Sequence, residues 1–372
     1  MSTPTIQAIG TAVPVNKICQ QDHYDILESA NGLNRAERLT LRQIYSKSGI
    51  TYRHSVLSEF GTQDAEDNQL FHPSGRYPQT DIAQRMQIYE QHAGDLCAEA
   101  CRNAFAQLDL LKKEEVTHVV SFSCTGMHAP GLDIEITEKL GLPRNVERTC
   151  INFMGCYAAI NALKYAYHIV RSEPEAVVLL AGVELCSLHY QKSNEANQMV
   201  ANALFSDGAA AAIVSAKSLS SDAQKLKLAL KSFYAEFEQS ASNEMVWRIG
   251  NLGFDLRLTP EVPKVVKGNI HGLVEKLLQK ANMQQADIDL YAIHPGGIKI
   301  LEACEQALGI TKEDNKVSYS VLNDFGNMSS VTVLFVLERY LQRPTQADKG
   351  KKVLSCAFGP GITVESLIAE IV

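Results

Sequence analysis

The chain carries one succession of patterns twice, and any fold it adopts has to place both copies. In the first copy, the apolar run "THVVSFSCTG" from residue 117 leads to a helical stretch ending "EKLGL", then to an expected strand, then to "GCYAAINALKYAY". In the second, "IDLYAIHPGG" from residue 288 leads to a helix ending "QALGI", then to another expected strand, then to "GNMSSVTVLFVLERY". Two copies of one α/β unit pack as a pseudo-symmetric pair and bring equivalent helix starts to a common centre. Laid on one another, "SCTG" at 123–126 faces "IHPG" at 293–296, and Cys156 faces Asn327. Chemistry is expected at that centre.

The apolar runs 117–123, 176–184, 209–215, 290–295 and 352–359 alternate with amphipathic helical stretches. Runs apolar on both faces predict central strands covered on each side, hence an α/β fold. No Pro- or Ser-rich linker divides the chain. The polar stretch "AKSLSSDAQK" at 216–225 is the one seam, separating a half 1–220 that holds Cys156 from a half 221–372 that holds His294 and Asn327.

Composition narrows the function. A formal charge of −7 supplies no electrostatic reason to bind nucleic acid or an anionic membrane, so an anionic ligand would need a local basic patch. Arg35, Arg38, Arg42, Lys47 and Arg53 are the best candidates, against the plainer reading of a solvated helix face. The start "MSTPTIQAIGTAVP" lacks the basic and apolar regions of a signal peptide, and no uncharged apolar run approaches the roughly 20 residues of a membrane span. A cytoplasmic protein is expected. Nine cysteines, an odd number without CxxC pairing, argue against a disulfide framework or a zinc site, and most are expected to be small buried hydrophobes.

Three residues stand apart. Cys156 follows a strand and opens a helix, where unpaired N–H groups and the helix dipole favour a thiolate; a buried core thiol is the plainer alternative. His294 lies between an apolar strand and Pro295, at the strand's C-terminal end, where α/β sheets place ligands. Among the other histidines only His189, in "LCSLHYQ", has a comparable setting. Asn327 can cap a helix or donate to a developing oxyanion, and the internal repeat predicts that it converges with Cys156. A thiolate, a cationic partner and a neutral donor, with no metal ligands and no obvious general-base carboxylate, suit acyl transfer through a thioester. Dehydrogenase chemistry is not expected, since no GxGxxG opens a helix after the first strand.

These residues resemble the type III polyketide synthases, the chalcone synthase-like enzymes of the thiolase superfamily. The likeness covers most of the chain and rests on "GCYAA" around Cys156, "VELCSL" at 183–188, "ALFSDGAAAAIV" at 203–214, "AIHPGG" at 292–297, "VLNDFGNMSSVTVLF" at 321–335 and "FGPGITVE" at 358–365. The resemblance implies a thiolase-like fold of two pseudo-symmetric halves layered αβαβα, and a homodimer. It implies an acyl-CoA starter tethered on Cys156 and extended by malonyl-CoA, with no cofactor besides these thioesters. His294 and Asn327 would hold the malonyl thioester carbonyl.

By the same resemblance Phe205 and Phe254 match two aromatic gatekeepers, and Ser329 and Gly359-Pro360-Gly361 line the cavity. Lys47 aligns with a basic residue at the CoA tunnel mouth; the two earlier basic positions fall on Thr40 and Gln43, leaving Arg42 or Arg53 as substitutes. Ala129 stands where plant enzymes place a methionine that reaches across the dimer. His189 replaces a threonine that shapes the cavity, and Met245 stands where chalcone formers have glycine. Ala129 would widen one wall and Met245 narrow another, opposite changes that leave a non-plant enzyme with an aliphatic acyl-CoA starter and an alkylpyrone or alkylresorcinol product as the expectation. A ketosynthase fed by acyl carrier protein, which shares a Cys–His–Asn set, is the alternative, and a silent scaffold is a further one.

Overall fold

The computed structural model describes residues 3–60, 80–342 and 346–372. Strand β1 (Thr5–Ala12) precedes a small ribbon, β2 (Asn16–Cys19) with β3 (Tyr52–Ser55), which encloses helices α1 (Gln20–Asn31) and α2 (Arg35–Ser46). Helix α3 (Ile82–Phe105) leads into β4 (His118–Ser123), α4 (Leu132–Leu140), β5 (Glu147–Asn152), α5 (Ala158–Ser172), β6 (Val177–Leu185), α6 (Ala196–Leu204) and β7 (Asp207–Ser215). The second half runs β8 (Leu228–Phe237), the hairpin β9 (Met245–Gly250) and β10 (Gly253–Leu258), α7 (Val262–Ala281), β11 (Leu290–Ile293) and α8 (Ile298–Leu308). It closes with α9 (Lys316–Phe325), α10 (Thr332–Gln342), β12 (Lys352–Gly359) and β13 (Thr363–Ile371).

The main strands form one mixed ladder in the order β11-β12-β13-β8-β1-β7-β6-β4-β5. Its middle link is weak: β1 meets β8 through Thr5 with Ala229 and Ile6 with Leu228, and the Leu230 N–H donates to the Pro4 carbonyl just ahead of β1. The ladder therefore bends into two sheets, and side-chain alternation shows what lies between them. Val120, Phe122, Val178 and Leu180 from the first sheet share a core with Ala292, Val353, Leu367 and Ala369 from the second, packed around α5 and α10. Their neighbours point outward, Val119, Leu179 and Ala181 onto α3 and α4, and Ile293, Leu354 and Ile368 onto α7 and α8.

Helices α5 and α10 are apolar enough to be enclosed: Ala158, Ala159, Ile160, Ala162, Leu163 and Ala166 are buried in one, and every residue from Thr332 to Leu337 in the other. The result is the expected five-layer αβαβα thiolase-like arrangement. The strand expected before "GNMSS" is instead helix α9. "KVSYSVLNDF" has the β-branched alternation of a strand, yet its buried Ser318, Val321 and Leu322 recur at helical spacing and lie on one face. The second half accordingly contributes four strands where the first contributes five.

Candidate active site

Cys156 sits in the turn between β5 and α5, two residues ahead of the helix. The turn is tightly seated. Gly155 has φ 86°, and a Cβ there would run into the ring of Pro360. Its N–H donates to the sulfur of Cys124 at 2.9 Å, and the Cys124 thiol donates to the Gly155 carbonyl at 3.3 Å. A Cβ on Gly359 would lie 2.6 Å from the Tyr157 ring and 3.4 Å from the Cys156 nitrogen. The motifs "SCTG", "GCY" and "FGPG" thus meet around the thiol.

His294 is delivered by the end of β11, its N–H bonded to the Cys356 carbonyl at 2.8 Å. The residue is 1 % exposed, and neither ring nitrogen has a hydrogen-bond partner among the described residues. Asn327 precedes α10 and is fixed on both sides. Its backbone pairs with Leu204 at 2.9 Å and Ser206 at 3.0 Å, making a bridge to Phe205. Its Oδ1 accepts from the Ser329 N–H at 2.8 Å and the Thr332 hydroxyl at 3.5 Å. That arrangement turns the amide donors the other way, toward the Gly296 carbonyl at a loose 3.4 Å.

The thiol of Cys156 lies 3.7 Å from the Ser329 hydroxyl. Burial pushes its pKa up to about 12, with the Glu184 carboxylate adding to the rise and hydrogen bonds from Ser329 and Asn327 opposing it. Burial likewise pushes His294 down to about 3. Burial therefore opposes the thiolate expected from the helix start, against the favourable helix N-terminus. Burial favours the neutral form of each group.

Cys156, His294, Asn327 and Ser329 line one cavity of about 1140 Å³ including its open mouth. Phe205, Phe254, His189, Met245 and Pro360 line it as well, while Gly359 and Gly361 are not part of its wall. Ala129 is exposed and absent from the wall of its own chain's cavity. Arg35, Arg38, Arg42 and Lys47 are exposed along and just beyond α2, as are Thr40 and Gln43. Arg53 is different: it is 2 % exposed and donates to the carbonyls of Asn202 at 2.6 Å and Phe205 at 2.9 Å, beside the His23 ring. It braces the cavity wall from within and is not a surface cation for a CoA phosphate.

Several participants carried no signal strong enough to single out in the sequence. Glu184, fully buried on β6, accepts from the Cys124 N–H at 3.0 Å, the Thr125 hydroxyl at 2.8 Å and the Ser330 hydroxyl. A lone carboxylate in a nine-residue buried strand was the available clue. Trp247, the one tryptophan of the chain, lines the cavity and donates its indole N–H to the Cys124 carbonyl at 2.8 Å. Among the described residues no three His, Cys, Asp or Glu side chains are grouped to hold a metal.

A nucleophilic thiol, an imidazole with both nitrogens unspent and an oriented amide donor, in a cavity walled by aromatic and aliphatic groups, can exchange acyl groups between thioesters. Known proteins agree. The family model described as "Chalcone and stilbene synthases, N-terminal domain" matches residues 2–218, and that described as "Chalcone and stilbene synthases, C-terminal domain" matches residues 226–372. The chain is 33% identical over 367 residues to an alpha-pyrone synthesis polyketide synthase-like protein, Pks18, of Mycobacterium tuberculosis, covering 99% of this chain and 91% of that one. It is 33% identical over 297 residues to type III polyketide synthase A of Arabidopsis thaliana, covering 77% of this chain and 73% of that one. Its fold matches the crystal structure of PKS-I from the brown alga Ectocarpus siliculosus with a TM-score of 0.92 and 30% identity, covering 100% and 98% of the two chains. The chain belongs to the chalcone and stilbene synthase family and is a type III polyketide synthase, an acyltransferase.

Proposed function

We propose that Cys156, His294 and Asn327 carry out iterative decarboxylative condensation of malonyl-CoA onto an aliphatic acyl-CoA starter, ending in an alkylpyrone or alkylresorcinol. The observation that carries the reading is the His294 ring, buried and unpartnered in the same cavity as the Cys156 thiol and the Asn327 amide. His294 takes the thiol proton as Cys156 attacks the starter thioester carbonyl, and returns it to the departing CoA sulfur. Malonyl-CoA then places its thioester carbonyl against donors from His294 and Asn327. Carbon dioxide leaves, and the electron pair of the broken C–C bond becomes an enolate held by those donors. The enolate carbon attacks the acyl-Cys156 carbonyl, expelling the thiolate, and the longer chain returns to Cys156 for another round.

Phe205 and Phe254 keep water from the acyl-enzyme and favour loss of the carboxylate. Lys47 and Arg42, exposed beside the chain's N-terminal helices, meet the CoA phosphates. The aliphatic starter is supported by the apolar residues Met245, Leu256, Leu258 and Ile300 in the wall and by the alpha-pyrone designation of the Mycobacterium relative. The two halves, 1–220 and 221–372, act as one site. We place the enzyme in the cytoplasm as a homodimer: β5 is an edge strand, and Met127 and Tyr165 nearby are 40% and 43% exposed, an apolar surface that a second copy would cover with Ala129 inside the contact.

The test is to incubate the protein with malonyl-CoA and acyl-CoA starters from acetyl through long-chain to p-coumaroyl, beside Cys156→Ala, and to identify products by mass spectrometry. Cysteine-dependent pyrones or resorcinols from aliphatic starters are expected. A p-coumaroyl preference with no aliphatic turnover overturns the starter assignment.

A further inference from the structure

The hairpin β9–β10 supplies Met245, Trp247, Phe254, Leu256 and Leu258 to the cavity wall, yet it is a two-stranded sheet of its own, outside the main ladder. A hairpin by itself is marginal in water, so this wall needs ties to the body of the protein. His189 provides one at the centre of the wall. It lies in the short turn after β6, is 4 % exposed, and uses both ring nitrogens. Nε2 is 2.6 Å from the Thr125 carbonyl, which can only accept, so Nε2 carries the proton; Nδ1 then accepts from the Phe254 N–H at 3.0 Å. The imidazole also lies flat on the Phe254 ring, 4.1 Å between centroids and 8° between planes. Trp247 meets both rings edge-on at 5.7 Å, and Phe153 meets Phe254 edge-on at 5.3 Å. Arg85 is the charged group beside this cluster, and it donates to the carbonyls of Leu188 and Tyr190.

We propose that His189 is a positioning residue that clamps the β9–β10 wall to the catalytic half of the cavity through Phe254, and that this clamp keeps water from the acyl chain. The proposal rests on the reading that Cys156 carries that chain. Phe254 is held by its ring and by its own N–H, both on His189, and the same imidazole reaches Thr125, adjacent to Cys124 and its contacts with Gly155. Loss of the imidazole frees the hairpin to move away from the thioester, and an opened wall admits water, which hydrolyses the acyl-cysteine to a free acid.

The experiment compares wild type with His189→Ala, His189→Phe, Phe254→Leu and the double variant His189→Ala/Phe254→Leu. It measures the ratio of hydrolysed, prematurely released acids to cyclised product, a partition that the amount of folded enzyme does not move. His189→Ala is expected to raise that ratio about fivefold, the equivalent of losing one net hydrogen bond, and His189→Phe, which keeps a ring but no nitrogen, by less. In the Phe254→Leu background the histidine substitution is expected to add little, because both act on the same wall. An unchanged ratio in His189→Ala, or effects that multiply in the double variant, overturns the proposal.

Fluorescence supplies a readout independent of turnover, since Trp247 is the one tryptophan. A red shift and greater acrylamide quenching are expected in soluble His189→Phe and His189→Ala, and emission identical to wild type in both overturns the clamp. If wild type forms no Cys156-dependent product from any acyl-CoA, the acyl-enzyme reading falls, and the fluorescence still decides whether His189 holds the wall.

Discussion

Two histidines line the same cavity, and burial pushes both down to about 3, yet the protein uses them oppositely. His189 has both nitrogens engaged, one on the Thr125 carbonyl and one on the Phe254 N–H, and a ring stacked on an aromatic face. His294 has neither nitrogen engaged among the described residues and sits where the equivalent ends of the two halves meet. A saturated imidazole can only hold its neighbours. An unsaturated one costs folding energy, of the order of 1–3 kcal/mol for an unmet buried group, and keeps its hydrogen-bonding capacity for a substrate.

The contrast is broken most directly by substitution. Removing the His294 imidazole with His294→Ala is expected to lower condensation about 1000-fold in a steady-state product assay, through loss of proton transfer and of one oxyanion donor. His189→Ala is expected to cost far less in turnover; comparable losses would erase the distinction. Asn327→Ala, which removes a donor and leaves the proton carrier, is expected to fall between the two, with a loss of about 100-fold in the decarboxylation of malonyl-CoA.

Thiol reactivity sharpens the comparison. With Cys156 pushed up to about 12 and His294 down to about 3, transfer of the proton from thiol to imidazole is strongly uphill in the resting enzyme, and thiolate arises mainly by ionisation to solvent. Alkylation of Cys156 by iodoacetamide is therefore expected to climb about tenfold per pH unit from about 5 to 9 in wild type and in His189→Phe. His294→Ala is expected to climb in the same way. A wild-type rate independent of pH that becomes pH-dependent in His294→Ala would show instead a preformed Cys156–His294 ion pair.

Stability gives a smaller effect with a definite sign. Each histidine is neutral in the fold down to about pH 3 but protonates in the unfolded chain near 6.5, so the unfolded state binds more protons between those values. Stability contributed by the neutral forms is complete above pH 6.5 and falls as pH drops, by about 1.4 kcal/mol per unit for each group. Thermal melts from pH 7.5 to 5 should therefore be shallower for His294→Ala than for wild type. At fixed pH that variant should lose little Tm, whereas His189→Ala, which orphans the Thr125 carbonyl and Phe254 N–H, should lose several degrees.

How much of this was legible beforehand differs by residue, for identifiable reasons. The strands 209–215 and 352–359 were visible because uninterrupted apolar runs have few other destinations, and they became parts of β7 and β12. Helix α9 was misread because a ten-residue stretch with Val, Tyr and Val at alternate positions satisfies a two-residue period as readily as a helical one. The pairing of Cys156 with Asn327 was legible through the repeat, which carries long-range information that local propensity lacks. Glu184 and Trp247 were overlooked as participants because a lone carboxylate or indole announces no partner. Arg53, one of two substitutes the sequence offers for a cation at the tunnel mouth, is instead buried, because charge predicts exposure unless carbonyls from distant segments, here Asn202 and Phe205, take up its donors.

The sequence by itself determined the duplicated α/β architecture, the chemical types of Cys156, His294 and Asn327, and the glycines that let "GCY" and "FGPG" approach. Periodicity, covalent chemistry and the lack of a Cβ are properties each residue carries wherever it lies. Only the tertiary structure decided that burial opposes charge on the thiol and the imidazole, that Arg53 braces a wall from inside, and that His189 is spent on positioning while His294 is left open. Those outcomes depend on desolvation and on which donors and acceptors arrive from remote segments, and both are set by the packing of the two halves.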